Sequence, residues 1–169
     1  HRMSSAASDV YKRQVLIGSY LRGLPMQMTG VVASGLGRAQ IFMAQTHYQD
    51  QFREILGATA WPGTLNIELS EESLERYRQL RFLAGLEELE GTGVAHPLRV
   101  HGFEREGRSF GGATAFLAMI SKEGENWCKC AILIPDLTRH TETAEIIASS
   151  FLRELLPVND GDEVHLIIE

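Results

Sequence analysis

The stretch Pro62-Gly63-Thr64-Leu65-Asn66-Ile67-Glu68 places side-chain oxygens at alternate positions. A strand turns alternate residues to one face. The spacing therefore predicts that Thr64, Asn66 and Glu68 share one surface while Leu65, Ile67 and Leu69 face the opposite way. A hydroxyl, an amide oxygen and a carboxylate are hard ligands of the kind that suits magnesium, which takes few protein donors and completes its shell with phosphate and water. An ordinary half-exposed strand has the same pattern, and these residues alone favour that plainer reading.

Three further segments carry hydrogen-bonding chemistry. In Ser34-Gly35-Leu36-Gly37-Arg38-Ala39 two glycines one residue apart let the backbone approach a ligand and turn amides toward an anion. The residues that follow, Gln40-Ile41-Phe42, read as a resumed strand, which argues against a dinucleotide-binding fingerprint. No Gly-Lys-Ser/Thr follows either, so a phosphate-binding Walker loop is excluded, and a tight turn between strands is the alternative. The run from Pro135 to Ala148, with Thr138, His140 and Glu145, is dense in polar groups and bounded by strands, as binding loops and solvated loops both are. In Phe151-Leu152-Arg153-Glu154, Arg153 suits either a phosphate or a surface carboxylate. Glu68 and Glu145 are the carboxylates placed to serve as a general base, and neither is singled out by spacing alone.

The elements that must position these groups read as short strands with turn signals. TGVVAS is β-branched and apolar; YQDQFREILG has an apolar stripe at positions 48, 52, 55 and 56 and a stop at Gly57; TLNIEL alternates. SEESLERYRQLRFL reads as a charged helix that Ser70 is placed to cap. RVHGFEREGRSFGGATAFLAMI reads as a hairpin turning at Glu106-Gly107, NWCKCAILIP as a strand, AEIIA as a short strand, SFLRELL as a short helix, and NDGDEVHLIIE as a turn and terminal strand. Residues 83–100 are the least legible. Strands without βαβ alternation predict an all-β chain closed into a barrel, with two or three short helices.

A chain of 169 residues with 44% hydrophobic and 22% charged residues is one globular domain by size and composition. The longest apolar run, AILI, is strand-sized, so no membrane helix is expected. A net charge of -6 argues against a nucleic-acid surface. Lysine is scarce, at positions 12, 122 and 129 only, so any phosphate site must draw on arginine, backbone amides or a metal. Cys128 and Cys130 lie on one face of a strand, where they suit neither a disulfide nor a complete zinc site; packed thiols in a reducing, cytoplasmic compartment are expected.

The first residues are of another kind. SSAASDVYKRQ, residues 4–14, resembles the in-frame translation of a transposase adaptor used in sequencing libraries. Residues 1–24 are accordingly expected to be a disordered scar, with Met26 or Met28 as candidate natural starts and a missing upstream domain as the alternative.

Taken in order, GVVASGLGRAQIF, YQDQFREILG, PGTLNIEL, FEREGRSFGG, ILIPDLTRH, EIIA, LREL and DGDEV resemble the archaeal-type CTP-dependent riboflavin kinases, from about Gly30 to Ile168. The resemblance implies one domain over residues 25–169, a six-stranded Greek-key barrel of the cradle-loop (RIFT) type, acting as a monomer. It implies transfer of the γ-phosphate of CTP to riboflavin, giving FMN and CDP. By the same resemblance Gly35, Leu36, Gly37, Arg38, Ala39 and Gln40, with Phe151, Leu152, Arg153 and Glu154, wrap the nucleotide. Thr64 and Asn66 hold Mg2+, and Thr138 and Glu145 contact the flavin. Ala39 stands where the family has a third glycine, and Arg139 where it has an aromatic beside the histidine. A barrel that binds flavin or nucleotide without catalysis, and a DNA-binding swapped-hairpin regulator, are the alternatives.

Overall fold

The computed structural model describes residues 26–86 and 95–169. The expectations for residues 1–24 lie outside them. Nine strands and four helices follow in the order β1 (Met26–Ala33), α1 (Ala39–Met43), α2 (Thr46–Leu56), β2 (Leu65–Leu69), α3 (Glu71–Leu83), β3 (Leu98–Val100), β4 (Phe103–Arg105), β5 (Arg108–Phe110), β6 (Ala113–Ser121), β7 (Cys128–Pro135), β8 (Thr143–Ile147), α4 (Leu152–Leu155) and β9 (Glu163–Ile168) among the described residues. No helix among them is long and apolar enough to cross a membrane.

Six strands close into an antiparallel barrel in the order β6-β7-β8-β2-β1-β9, with β9 returning to β6 from Ala118↔Ile168 to Ser121↔His165. Strand β6 is shared: its first residues pair with β3 and its last with β9 on the same edge. The expected barrel is therefore observed, and the reason lies in the alternation. Met26, Met28 and Val32 of β1, and Leu65, Ile67 and Leu69 of β2, point inward and join Phe116, Ile120, Ile132, Ile146 and Leu166 in one core. Gly30 sits on that inward face between Leu69 and Val164. A Cβ there would strike the Glu68 carbonyl oxygen and the Ile67 side chain, so the strand crossing requires glycine.

Strands β6 and β7 are buried on both faces, which explains their unbroken apolar runs. Their outer faces offer Ala113, Ala115, Ala131 and Leu133, three of them small, and helix α2 packs Tyr48, Phe52 and Leu56 there in a second core. The predicted stripe of α2 and its stop are observed: Gly57 has φ 78° and donates to the Arg53 carbonyl at 2.9 Å.

Helix α3 begins after Ser70 as expected, but the Ser70 hydroxyl does not cap a helix amide. It donates to Ser73 Oγ at 2.9 Å and lies 3.0 Å from Thr29 Oγ1, tying the helix start to β1. Tyr77 and Leu80 of α3 enter the barrel core, and Arg81 donates to the His140 carbonyl at 2.6 Å.

The hairpin also stands, with Glu106 (φ 51°) and Gly107 (φ 73°) forming the two-residue turn that positive φ at both positions allows. Phe103 stacks on Phe110 at 4.6 Å across its arms. Cys128 and Cys130 are unpaired thiols packed with the barrel core, the Cys130 thiol pushed up by burial.

One element differs from the sequence reading. Gln40-Ile41-Phe42 lies in a single helical turn, α1, and does not resume a strand. Ile and Phe favour strands, but local propensity yields to packing. Gly37 at φ 70° turns the chain, after which Ala39 and Met43, four residues apart, face the second core and leave Ile41 and Phe42 exposed.

Candidate active site

With Leu65 and Ile67 committed to the core, Thr64, Asn66 and Glu68 are forced to the outside of the barrel. A cleft of about 860 Å³ opens there, floored by β2 and β8 and walled by residues 33–40 on one side and 150–153 on another. Asn66 stands in register with Ala33 of β1 and Glu145 of β8, and Glu68 with Thr143. Gly35, Leu36, Gly37, Arg38, Ala39, Gln40, Thr64, Asn66, Glu68, Glu145, Phe151, Leu152 and Arg153 all line this one cleft. Thr138 and Glu154 do not line it, and Glu154 is exposed. The Thr138 hydroxyl oxygen instead accepts the His140 backbone N–H at 3.2 Å, shaping the loop that brings His140 to the cleft.

The Asn66 amide is held from both ends. Its Nδ2 packs against Gly35, where any Cβ would collide with it, and its Oδ1 accepts the Thr64 hydroxyl at 3.0 Å. Two oxygens therefore sit side by side. Adjacent ligands of an octahedral magnesium, each at about 2.0–2.1 Å, are separated by roughly 2.9 Å, so the observed 3.0 Å fits the ion without rearrangement of the strand. The described residues contain no group of three or more His, Cys, Asp or Glu side chains able to hold a metal. Thr64 and Asn66 are neutral, so a cation held by them needs its charge balanced by a ligand such as phosphate.

Asp160, which the sequence reading did not single out, anchors the wall of the cleft. Its carboxylate accepts from the Ser34 hydroxyl and from Arg153 Nη2, the latter at 2.7 Å. The same Arg153 nitrogen reaches the Ala33 carbonyl at 3.4 Å. Those two hydrogen bonds, Ser34 first, hold the Asp160 carboxyl below the usual aspartate range. The link therefore persists in acid until the pH has fallen beneath the value at which a free aspartate takes up its proton. Of the two outcomes the sequence left open for Arg153, the carboxylate partner is observed.

Glu145 differs from Glu68. Glu68 is exposed, whereas Glu145 is half-buried and its carboxyl is pushed up by burial, partly offset by His140. Trp61, read from sequence only as part of a turn, also lines the cleft, stacked on Phe151 at 5.1 Å and 28°. Neither Lys122 nor Lys129 lines it, so among the described residues Arg38 and Arg153 are its cationic side chains.

A closed antiparallel barrel carrying an outer, oxygen-lined cleft of this size has the form of a small-molecule-binding barrel. Comparison with known proteins makes the assignment specific. The chain belongs to the CTP-dependent riboflavin kinase family: the model CTP-dep_RFKase, described as "Domain of unknown function DUF120", matches residues 32–168. It is similar to the riboflavin kinase of Thermoplasma acidophilum, 34% identical over 137 residues, covering 81% of this chain and 54% of that protein. The riboflavin kinase of Methanococcus maripaludis is 33% identical over 146 residues, covering 85% of this chain and 100% of that protein. That of Thermofilum pendens is 37% identical over 145 residues, covering 85% and 59%. The chain thus spans about half the length of the first of these relatives and the whole of the second.

Proposed function

We propose that this chain phosphorylates riboflavin, moving the γ-phosphate of CTP to the 5′-hydroxyl and releasing FMN and CDP. The observation that carries the reading is the Thr64–Asn66 oxygen pair, set between a glycine-bearing loop and the Glu145 carboxyl in one cleft. Phosphoryl transfer depends on positioning and on charge stabilisation more than on covalent chemistry. Mg2+ held by Thr64 and Asn66 would neutralise phosphate charge in a site to which no described lysine contributes. Loop residues 35–40 present backbone to the phosphates, and Arg38 adds the exposed cation. The 5′-hydroxyl lies at the Glu145 side of the cleft, together with Thr143 and His140. Its oxygen bonds to the γ-phosphorus, its proton passes to the Glu145 carboxylate, and the bond to the β–γ bridging oxygen breaks to release CDP. Thr138 acts from behind by holding the His140 loop. The reading includes a monomer in a reducing, cytoplasmic compartment, in keeping with two free cysteines.

The test is purified protein with riboflavin, magnesium and each nucleoside triphosphate in turn. FMN is expected with CTP. FMN from ATP and not CTP, or from neither, would sink the reading, and flavin binding without turnover would leave a non-catalytic barrel.

Burial raises the Glu145 carboxyl, which brings a base closer to working pH. The base must be ionised, so turnover falls as pH drops through that raised value. Glu145→Gln is expected to lower kcat by about a hundredfold and to abolish this acid limb in the pH–rate profile. Asp160→Ala frees one end of the loop from an exposed ion pair. It is expected to raise the KM for CTP about two- to fivefold and to leave the riboflavin KM unchanged in steady-state kinetics.

A further inference from the structure

Trp61 is 44% exposed, a high value for an indole at a cleft wall. One of its neighbours is Phe151, stacked at 5.1 Å. Its position along the floor is defined by the ladder. Past the Leu65↔Ile146 pair, the Trp61 backbone N–H bonds the Ala148 carbonyl at 2.8 Å, which places the ring beyond Thr64. The Glu68↔Thr143 pair lies at the opposite end, with the Thr64–Asn66 oxygens between.

This order has a chemical meaning. If the transferred phosphate is held beside Asn66 and the acceptor hydroxyl beside Glu145, the rest of the donor must extend away from Glu145. Across β2 from Glu145 lies Ala33, whose carbonyl accepts from Arg153 Nη2 at 3.4 Å, so the donor runs toward the wall that carries Phe151 with Trp61 stacked on it. Three residues of chain from Thr64 to Trp61 span at most roughly 10 Å, a reach suited to a nucleoside lying beyond its phosphates. Among the described residues, and apart from His140 at the other end, Trp61 and Phe151 are the aromatic side chains lining the cleft. An aromatic plane is what a nucleobase stacks on, and such stacking tolerates any base because each has a π-face.

We infer that Trp61, backed by Phe151, is the stacking platform for the base of the phosphate donor. The inference rests on the kinase reading for the direction in which the donor lies. It assigns Trp61 to affinity and not to the choice among bases, so its loss weakens CTP and any competing triphosphate alike.

The experiment uses the full chain carrying Trp127→Phe, which leaves Trp61 as its one tryptophan. Titration with CDP is expected to quench the remaining fluorescence. Calorimetry then compares Trp61→Leu, which still covers Phe151 with an apolar side chain, and Trp61→Phe, which restores a ring. Trp61→Leu is expected to weaken CDP about five- to hundredfold, with Trp61→Phe recovering most of the loss. Competition by inorganic triphosphate, which has no base, and the riboflavin KM are expected to stay as in the parent. CDP affinity within twofold of the parent in Trp61→Leu overturns the inference. An equal loss for inorganic triphosphate overturns it too, since the residue is then structural, as does a rise in riboflavin KM in place of the CDP effect. A parent protein that binds CDP with quenching but makes no FMN sinks the kinase reading and leaves the platform standing; one that binds no CDP sinks both.

Discussion

Asn66→Leu is expected to reduce FMN formation by about a thousandfold or more with the barrel still folded. The size follows from the charge problem. Metal stabilisation of phosphoryl oxygens is worth several kcal/mol, and each 1.36 kcal/mol is tenfold in rate. Among the described residues the cleft has no lysine with which to compensate. Leucine has the same branched skeleton as asparagine, with bulkier methyl ends, and so keeps the contact with Gly35, but it removes the oxygen that pairs with Thr64 at 3.0 Å. Stability should hardly move, because Asn66 is only half-buried, on the outer face of a strand whose inward neighbours Leu65 and Ile67 are untouched. Single-turnover assays beside a thermal melt check both halves. Activity within tenfold of the parent would remove Asn66 from the site, and a lost melting transition would show the residue to be structural. Asn66→Asp, which retains the oxygen pair, should keep part of the turnover.

Gly30→Val is the counterpart on the inward face, and there the effect falls on stability. The first atom of the new side chain strikes the Glu68 carbonyl oxygen, a backbone group fixed in the β1–β2 ladder that cannot rotate aside. Overpacking a core costs about 1–3 kcal/mol and sometimes more; with a backbone collision added, about 3 kcal/mol or more is expected. That is a large fraction of the about 5–15 kcal/mol that holds a typical domain together. Urea denaturation monitored by circular dichroism measures it. A midpoint equal to that of the parent would mean that the crossing is looser than described.

Much of this was legible in the chain because the decisive signals are local. TLNIEL alternates with period two, so the face of Thr64 and Asn66 follows from the burial of Leu65 and Ile67. YQDQFREILG announces its stripe and its stop within ten residues. What stayed hidden depends on partners far along the chain. Ser34 and Asp160 are 126 positions apart, and nothing in N-D-G-D beyond its turn chemistry marks that aspartate as the anchor of a glycine loop. Trp61 read as a turn residue because its stacking partner lies in α4's approach. Ile41 and Phe42 misled in the opposite sense, since two strand-favouring residues are exposed on a helical turn held by Ala39 and Met43. Thr138 carries the right chemistry for a ligand, and while its hydroxyl oxygen accepts from its own loop its proton stays available to donate.

The closed ring has a thermodynamic corollary for binding. Strand β2 is laddered on both sides, by β1 and by β8, so Asn66 and the floor beneath the cleft have no free edge along which to splay. Ordering the ligand therefore draws its entropy from elsewhere, from the exposed loop 34–38. One end of that loop is already spoken for by Asp160 and Arg153, before any nucleotide arrives. On the proposed kinase reading the barrel divides the work: topology immobilises the oxygens in advance, and affinity is set by how much freedom a few glycine-flanked residues surrender when the phosphates settle among them.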